Sequence, residues 1–311
     1  MQRKKIAVIG GGQIGSIIAL MSTQKELGDV TIVDLPQHVN PVKGKTLDID
    51  HLRPHIGVDV TLCATCEYQD IAGADVVVVT AGVPRKPNMS REDLLDINLD
   101  IIKGVAEQIK IHCPEAFIIV ATNPVDTMSY AFHKVSGLPR NQVVGLSGAL
   151  DTGRFQHFIA DETGLSVKDV SCMVMGGHGP TMMPLIRTAT VAGIPITTLL
   201  NQEQIDNIVK RTKEAGTEIV NLLGNGSAYF SSAASIMEMI EAHLGDKKRV
   251  ISSSALCQGE YGIDGYYLGV PCVIGAQGLE RVLELELTVE ENAAFQETAS
   301  AVKASIQQTG L

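Results

Sequence analysis

The 311-residue chain has no tryptophan at all, no long apolar run and too few cations to balance its anions. Lys plus Arg number 25 against 35 Asp plus Glu, a formal net charge of −10. With no basic tract to offset it, that balance would repel a phosphate backbone, which argues against nucleic-acid binding. No stretch approaches the roughly 18 apolar residues of a membrane span, so no membrane partner is expected. The apolar residues after Met1-Gln-Arg-Lys-Lys5 stop at Ile9, too short for a secretory core segment, and the chain reads as cytoplasmic. Missing tryptophan removes a fluorescence probe and nothing else.

The six cysteines are scattered, at 63, 66, 113, 172, 257 and 272, as suits reduced thiols. Cys63-Ala-Thr-Cys66 has metal-ligand spacing but no second pair. We read it as packing and expect no metal site. No low-complexity linker and no internal repeat are evident, beyond two βαβ halves in the first part of the chain.

Composition is that of a globular chain, 45% hydrophobic and 19% charged. The length suits two domains, drawn at 1–146 and 147–311. In the first, apolar runs at 5–9, 30–34, 58–62, 75–80, 117–121 and 142–146 read as parallel strands covered on both faces. Helical patterns at 14–27, 90–112 and 124–136 lie between them. The fold class is therefore α/β, a Rossmann doubly wound parallel sheet, followed by a mixed α+β substrate and catalytic domain. In that second part we expect a helix from about Leu150, a strand at 170–175, helices at 201–223 and 231–243, antiparallel strands at 248–256, 270–274 and 281–288, and a last helix at 289–308.

Gly10-Gly11-Gly12-Gln13-Ile14-Gly15 follows the first strand and opens the first helix. Its glycines permit a tight turn, close backbone approach to a pyrophosphate and close helix–strand packing. The helix N-terminus offers unpaired N–H groups to phosphate. Asp34 ends the second strand, 19 residues after Gly15, where a ribose-binding carboxylate belongs. An ordinary turn residue would also stand at a strand end, but here strand, loop, helix and second strand occur in order. Asp34 would repel a 2′-phosphate and no arginine adjoins it, so the cofactor is expected to be NAD.

Three segments place polar groups beside strand ends. The first, Ala81 to Arg91, carries Arg85 and Arg91 on a Gly/Pro-punctuated loop that could close as a lid, although a solvated basic loop reads the same. The second is Ala121-Thr122-Asn123-Pro124, whose Asn123 offers a side-chain amide. In the third, Asp151 and Arg154 share one face of a helix, as a surface ion pair also would. His178, in Gly176-Gly-His178-Gly, is the one histidine of eight in a glycine-flanked strand-end loop. A group titrating near neutrality suits proton transfer in both directions, and a carboxylate such as Asp151 would orient it.

Together these motifs resemble the lactate/malate dehydrogenase superfamily over essentially the whole chain, and within it the lactate-dehydrogenase-like group of malate dehydrogenases. The resemblance implies that Arg154 holds the C1 carboxylate of the substrate, Arg91 polarises the reacting carbonyl and Asn123 orients it. It implies that His178 carries the proton with Asp151 behind it. Asn98 matches a cofactor-contacting position, Thr80, Ala81 and Gly82 line the cofactor groove, and Ala121, Thr122 and Asn123 lie beside the nicotinamide. Arg85 matches the position that pairs with the distal carboxylate of malate or oxaloacetate, and a lone buried guanidinium would penalise pyruvate. The implied reaction is (S)-malate + NAD⁺ ⇌ oxaloacetate + NADH in a homo-oligomer, a tetramer by this resemblance. A lactate or broad 2-hydroxyacid dehydrogenase, or a non-catalytic NAD-binding sensor, are the alternatives. Pro180 stands where the family has an acidic residue and Asn88 where it often has glycine, which predicts a shifted His178 loop and slower closure.

Overall fold

A computed structural model describes residues 3–84, 91–224 and 226–311, the side chains of Arg91 and Glu92 excepted. Arg85 and Asn88 lie outside the described residues. The first half runs β1 (Lys5–Ile9), α1 (Gln13–Gln24), β2 (Asp29–Val33), α2 (Val39–Ile56), β3 (Leu62–Thr65), β4 (Val76–Val79), α3 (Arg91–His112), β5 (Phe117–Val120), α4 (Val125–Ser136) and β6 (Val143–Gly145). The second half begins with α5 (Gly148–Thr163), β7 (Val170–Ser171), β8 (Val174–Met175), β9 (Met183–Pro184), β10 (Thr190–Val191), β11 (Ile194–Pro195) and α6 (Ile196–Leu199). It ends with α7 (Gln202–Leu223), α8 (Phe230–Leu244), β12 (Arg249–Gln258), β13 (Asp264–Gly275), β14 (Gly278–Val282) and α9 (Val289–Gln307).

The parallel strands lie in the order β3-β2-β1-β4-β5-β6, the doubly wound arrangement in which ligands bind beyond the strands' carboxyl ends. Val76 to Val79 and Phe117 to Val120 are buried along their whole length, because helices cover both faces. The sheet does not stop at β6. β12 joins it antiparallel, Ser254 opposite Gly145, and β13 and β14 extend it to nine strands. One apolar core accordingly runs from Ile6 through Leu150 to Ile306, while a second, smaller one gathers around Phe155, Ile159 and Ile205.

Several expected boundaries are corrected. The third strand forms at Leu62–Thr65, not 58–62, because α2 closes on Gly57 in a left-handed cap and β2 pairs Val30 with Leu62. The intervening helix α2 is an element that the sequence pattern did not single out. The apolar stretch 170–175 splits between two small sheets. The last expected strand, 281–288, starts at Gly278 and ends at Val282. Beyond it, Leu283 N–H donates to Pro271, which has no N–H to return, and the ladder lapses. Cys63 is solvent-exposed rather than packed, since it occupies the outward position of β3.

Candidate active site

The glycine turn bends where only glycine fits. Gly10 has φ +105°, and a Cβ on Gly15 would lie 2.0 Å from the Gly10 carbonyl oxygen, so α1 packs against β1 without side-chain thickness between them. Gly12, by contrast, faces open space. It is the N-cap of α1, with no side-chain cap and no acidic residue in the first turn. Among the described residues the first N–H groups of that helix thus have no anionic or side-chain partner, which fits a pyrophosphate. Exposed Gln13 opens the helix and Ile14 lines the cleft beside it.

Asp34 follows β2 directly. Its Oδ2 accepts from Gly11 N–H (2.7 Å) and its Oδ1 from Leu35 N–H (2.7 Å). Each oxygen keeps a lone pair for a hydroxyl donor, which fits a ribose diol. Lys45, which the sequence motifs do not flag, donates from Nζ to the Gly11 carbonyl (2.8 Å) and ties α2 to the glycine turn. Thr80 Oγ1 donates to Gly10 O (2.9 Å), bracing the turn from β4. These contacts make the turn a preformed cradle, and its donor set fits a dinucleotide.

Asn98 and Thr122 sit deeper than a cofactor-contact reading suggests. Asn98 is 1% exposed; its Oδ1 accepts from Val83 N–H (2.9 Å) and its Nδ2 donates to Asn123 O (2.7 Å). Thr122 Oγ1 donates to Ala81 O (2.6 Å). Both side chains lock the β4 and β5 end loops together, while Ala121 and Asn123 line the cleft itself.

Across the cleft, α5 carries Asp151 and Arg154 one turn apart. Asp151 is 1% exposed and bonds with both neighbours: Oδ2 lies 2.7 Å from His178 Nδ1, and Oδ1 accepts from Arg154 Nη1 (2.9 Å). With Nδ1–H donated to the carboxylate, His178 Nε2 is the ring atom free to exchange a proton. Among the described residues Arg154 Nε is buried without a hydrogen-bond partner, while the Arg154 side chain lines the cleft. Burial disfavours the charged His178 ring, and Arg154 opposes it too. The Asp151 charge and hydrogen bond, with help from Asp126, outweigh both and hold its pKa above 6.5.

The His178 loop, between β8 and β9, is held from two other elements. Its Gly177 N–H donates to Thr298 Oγ1 of α9 (2.9 Å), and its own N–H donates to Asp126 Oδ2 of α4 (3.0 Å). Pro180 is exposed, and the loop still delivers the ring to Asp151, so the shift expected from this proline does not separate the pair. The cleft is completed by Gly216 and Val220 of α7, by Ser227 and Ala228, and by Ser232 of α8. None of these carried a sequence signal, because they meet the site only through tertiary packing. Asp126 had one: it follows Asn123-Pro124-Val125 in the first turn of α4. Arg91 opens α3, and its side chain, like all of Arg85, lies outside the described residues.

Residues 4–145 match the family described as lactate/malate dehydrogenase, NAD binding domain, and residues 148–310 match its alpha/beta C-terminal domain. "Malate dehydrogenase 1" of Anaeromyxobacter dehalogenans is 55% identical, covering 100% of this chain and 99% of its own length. "Malate dehydrogenase" of Bacillus pumilus is 52% identical over 97% of each chain. Among solved structures, Cryptosporidium parvum malate dehydrogenase superposes with a TM-score of 0.96 at 41% identity, covering 99% of both chains. The Cryptosporidium parvum lactate dehydrogenase complexed with lactic acid and nicotinamide adenine dinucleotide does so at 0.96 and 43%, covering 100% of this chain and 99% of that one. With both halves matched and relatives above half identity end to end, the chain belongs to the lactate/malate dehydrogenase family.

Proposed function

We propose that this protein is an NAD-dependent malate dehydrogenase that interconverts (S)-malate and oxaloacetate, with His178 as the proton carrier. The observation that carries the reading is the linked set His178–Asp151–Arg154: Asp151 engages His178 Nδ1 and Arg154 Nη1, and His178 and Arg154 line one cleft with Ile14, Ala121 and Asn123 beside the glycine cradle. Full-length relatives named malate dehydrogenase support the substrate. Gly10 to Gly15 and Asp34 hold the dinucleotide, with Ala121 and Asn123 beside the nicotinamide and Asn98 and Thr122 stiffening that turn. The nicotinamide ring of NAD supplies the hydride acceptor, or in reverse the donor.

Arg154 binds the C1 carboxylate while Asp151 fixes its Nη1. Asn123 orients the C2 oxygen and Arg91 polarises it. In malate oxidation, as hydride leaves C2, His178 Nε2 takes the hydroxyl proton and Asp151 stabilises the imidazolium; reduction returns that proton to the same oxygen. Arg85 pairs with the distal carboxylate and so selects the four-carbon diacid. The division of labour follows domains at 1–146 and 147–311. The cytoplasm as location and a homotetramer as assembly complete the reading; exposed Leu47 on α2, Leu222 on α7 and Phe230 on α8 offer apolar surface for subunit contact.

The test is NADH oxidation with oxaloacetate and with pyruvate, side by side. Strong oxaloacetate preference supports the reading, and Arg85→Gln should then lower that preference by at least about 30-fold. Pyruvate preference would keep the fold and overturn the substrate. Silence with both, despite NADH binding, would leave a cofactor-binding protein without this activity.

A further inference from the structure

Asp126 is a buried carboxylate, 5% exposed, that the mechanism above does not use. It sits in the first turn of α4, where the helix N-terminus favours negative charge. Its Oδ1 accepts from Ser254 Oγ (2.6 Å), across the junction where β12 meets β6. Its Oδ2 accepts from the backbone N–H of His178 (3.0 Å). One carboxylate thus ties the histidine loop of the second half to a helix of the first and to the strand that joins them. We propose that Asp126 is a positioning residue for proton transfer: it fixes the His178 backbone so that the ring meets Asp151, and it supplies a second negative charge behind the imidazolium. This inference rests on the reading of His178 as proton carrier.

The placement is not what stability alone would choose. Burial is the largest influence on Asp126 and raises its pKa, only partly offset by the Ser254 and His178 donors. An acid whose folded pKa is raised stabilises the fold only at low pH, and that contribution is lost as pH rises through the folded value. Holding this carboxylate ionised in that position burdens the fold. A burden retained beside a working group points to function. Among the described residues, the charged and titratable groups acting here are His178 and Asp151 on Asp126, Arg154 on His178, and the Cys257 thiol of β12, which senses Asp126.

Asp126→Asn tests charge with geometry kept, since Asn can accept from His178 N–H through Oδ1 and donate to Ser254 Oγ. Asp126→Ala leaves the His178 N–H and the Ser254 hydroxyl without their acceptor, and Ser254→Ala loosens the carboxylate from one side. Kinetics against pH, thermal denaturation and NADH binding by NADH fluorescence are read for each, beside His178→Asn. We expect Asp126→Ala to lose about 100-fold in kcat, with Asn recovering part of it and Ser254→Ala losing least. For Asp126→Asn, the apparent pKa in kcat/KM for oxaloacetate reduction should fall by about half a unit or more. Its Tm should stay level or rise while NADH affinity holds. A wild-type pH profile in Asp126→Asn, with losses confined to Tm, would overturn the proposal and leave a structural residue. If His178→Asn itself retains turnover, the reading of His178 fails first, and that result is distinct.

Discussion

His178 and Asp151 form a pair whose consequences are set at the scale of single atoms. Only one ring nitrogen meets the carboxylate, so the other is dedicated to substrate. Because the His178 pKa is raised, oxaloacetate reduction should be flat in kcat/KM on the acid side and fall as pH rises through that value, above 6.5. Malate oxidation should run the opposite way. A reduction rate that climbs across the same window would sink the assignment. The sign for stability is the same: the pair's contribution is full below the unfolded imidazole value and disappears as pH rises through the folded one. His178→Asn should lower kcat by about 10²- to 10⁴-fold while NADH still binds. Arg154 gives a separate check. Replacing its fork by Lys removes bidentate geometry and uncouples Asp151, so KM for oxaloacetate should rise far more than the Kd for NADH; equal changes in both would argue for misfolding instead.

Among the elements, α9 acts at a distance from its own sequence neighbourhood. Thr288 caps its start with a reciprocal box to Glu291, which fixes the helix independently of the site. Its Thr298 then receives Gly177 N–H and meets Thr181 Oγ1 (2.9 Å), gripping the histidine loop on both sides of His178. Thr298→Val keeps the shape but strands the Gly177 donor, at a cost of about 1–3 kcal/mol. We expect a lower Tm together with reduced kcat, measured by denaturation and steady-state turnover. Unchanged kcat at lower Tm would confine α9 to packing. The first helix makes a sharper case: Gly15→Ala would drive a methyl into the Gly10 carbonyl, so NADH affinity and stability should fall together.

Taken whole, the molecule is organised by one sheet that ignores the domain boundary. β6 would be an exposed edge if residues 1–146 stood alone, and the main core would lose its partners on β12, β13 and α9. We expect calorimetry to show one unfolding transition, shifted upward by NADH, and a 1–146 fragment to aggregate or lose fixed tertiary structure. Two resolved transitions, or a folded soluble fragment, would show the halves to be independent. Assembly is read at the same scale: native mass spectrometry should give four chains per particle, and a stable monomer would leave the apolar surfaces of α2, α7 and α8 without the role proposed for them.

The central parallel strands β4 and β5 were legible because their apolar runs are buried on both faces and need no partner to declare them. The glycine turn was legible because its geometry admits no Cβ at Gly15, and Asp34 because it stands at a fixed strand end. β3 was placed four residues early, since alternation alone does not set register and pairing with β2 does. Helix α2 went unmarked because its sequence carries little amphipathic pattern, with Pro54 inside it. His178, Asp151 and Arg154 could be named from local motifs, but 27 residues separate His178 from Asp151 and only folding makes them a 2.7 Å pair. Asp126 stands just after the Asn123-Pro124 motif, but Thr298 and Ser254 are ordinary residues in sequence. What they bind is decided by tertiary structure alone: Thr298 accepts from Gly177 N–H and Ser254 donates to Asp126, partners more than 100 positions away in the chain.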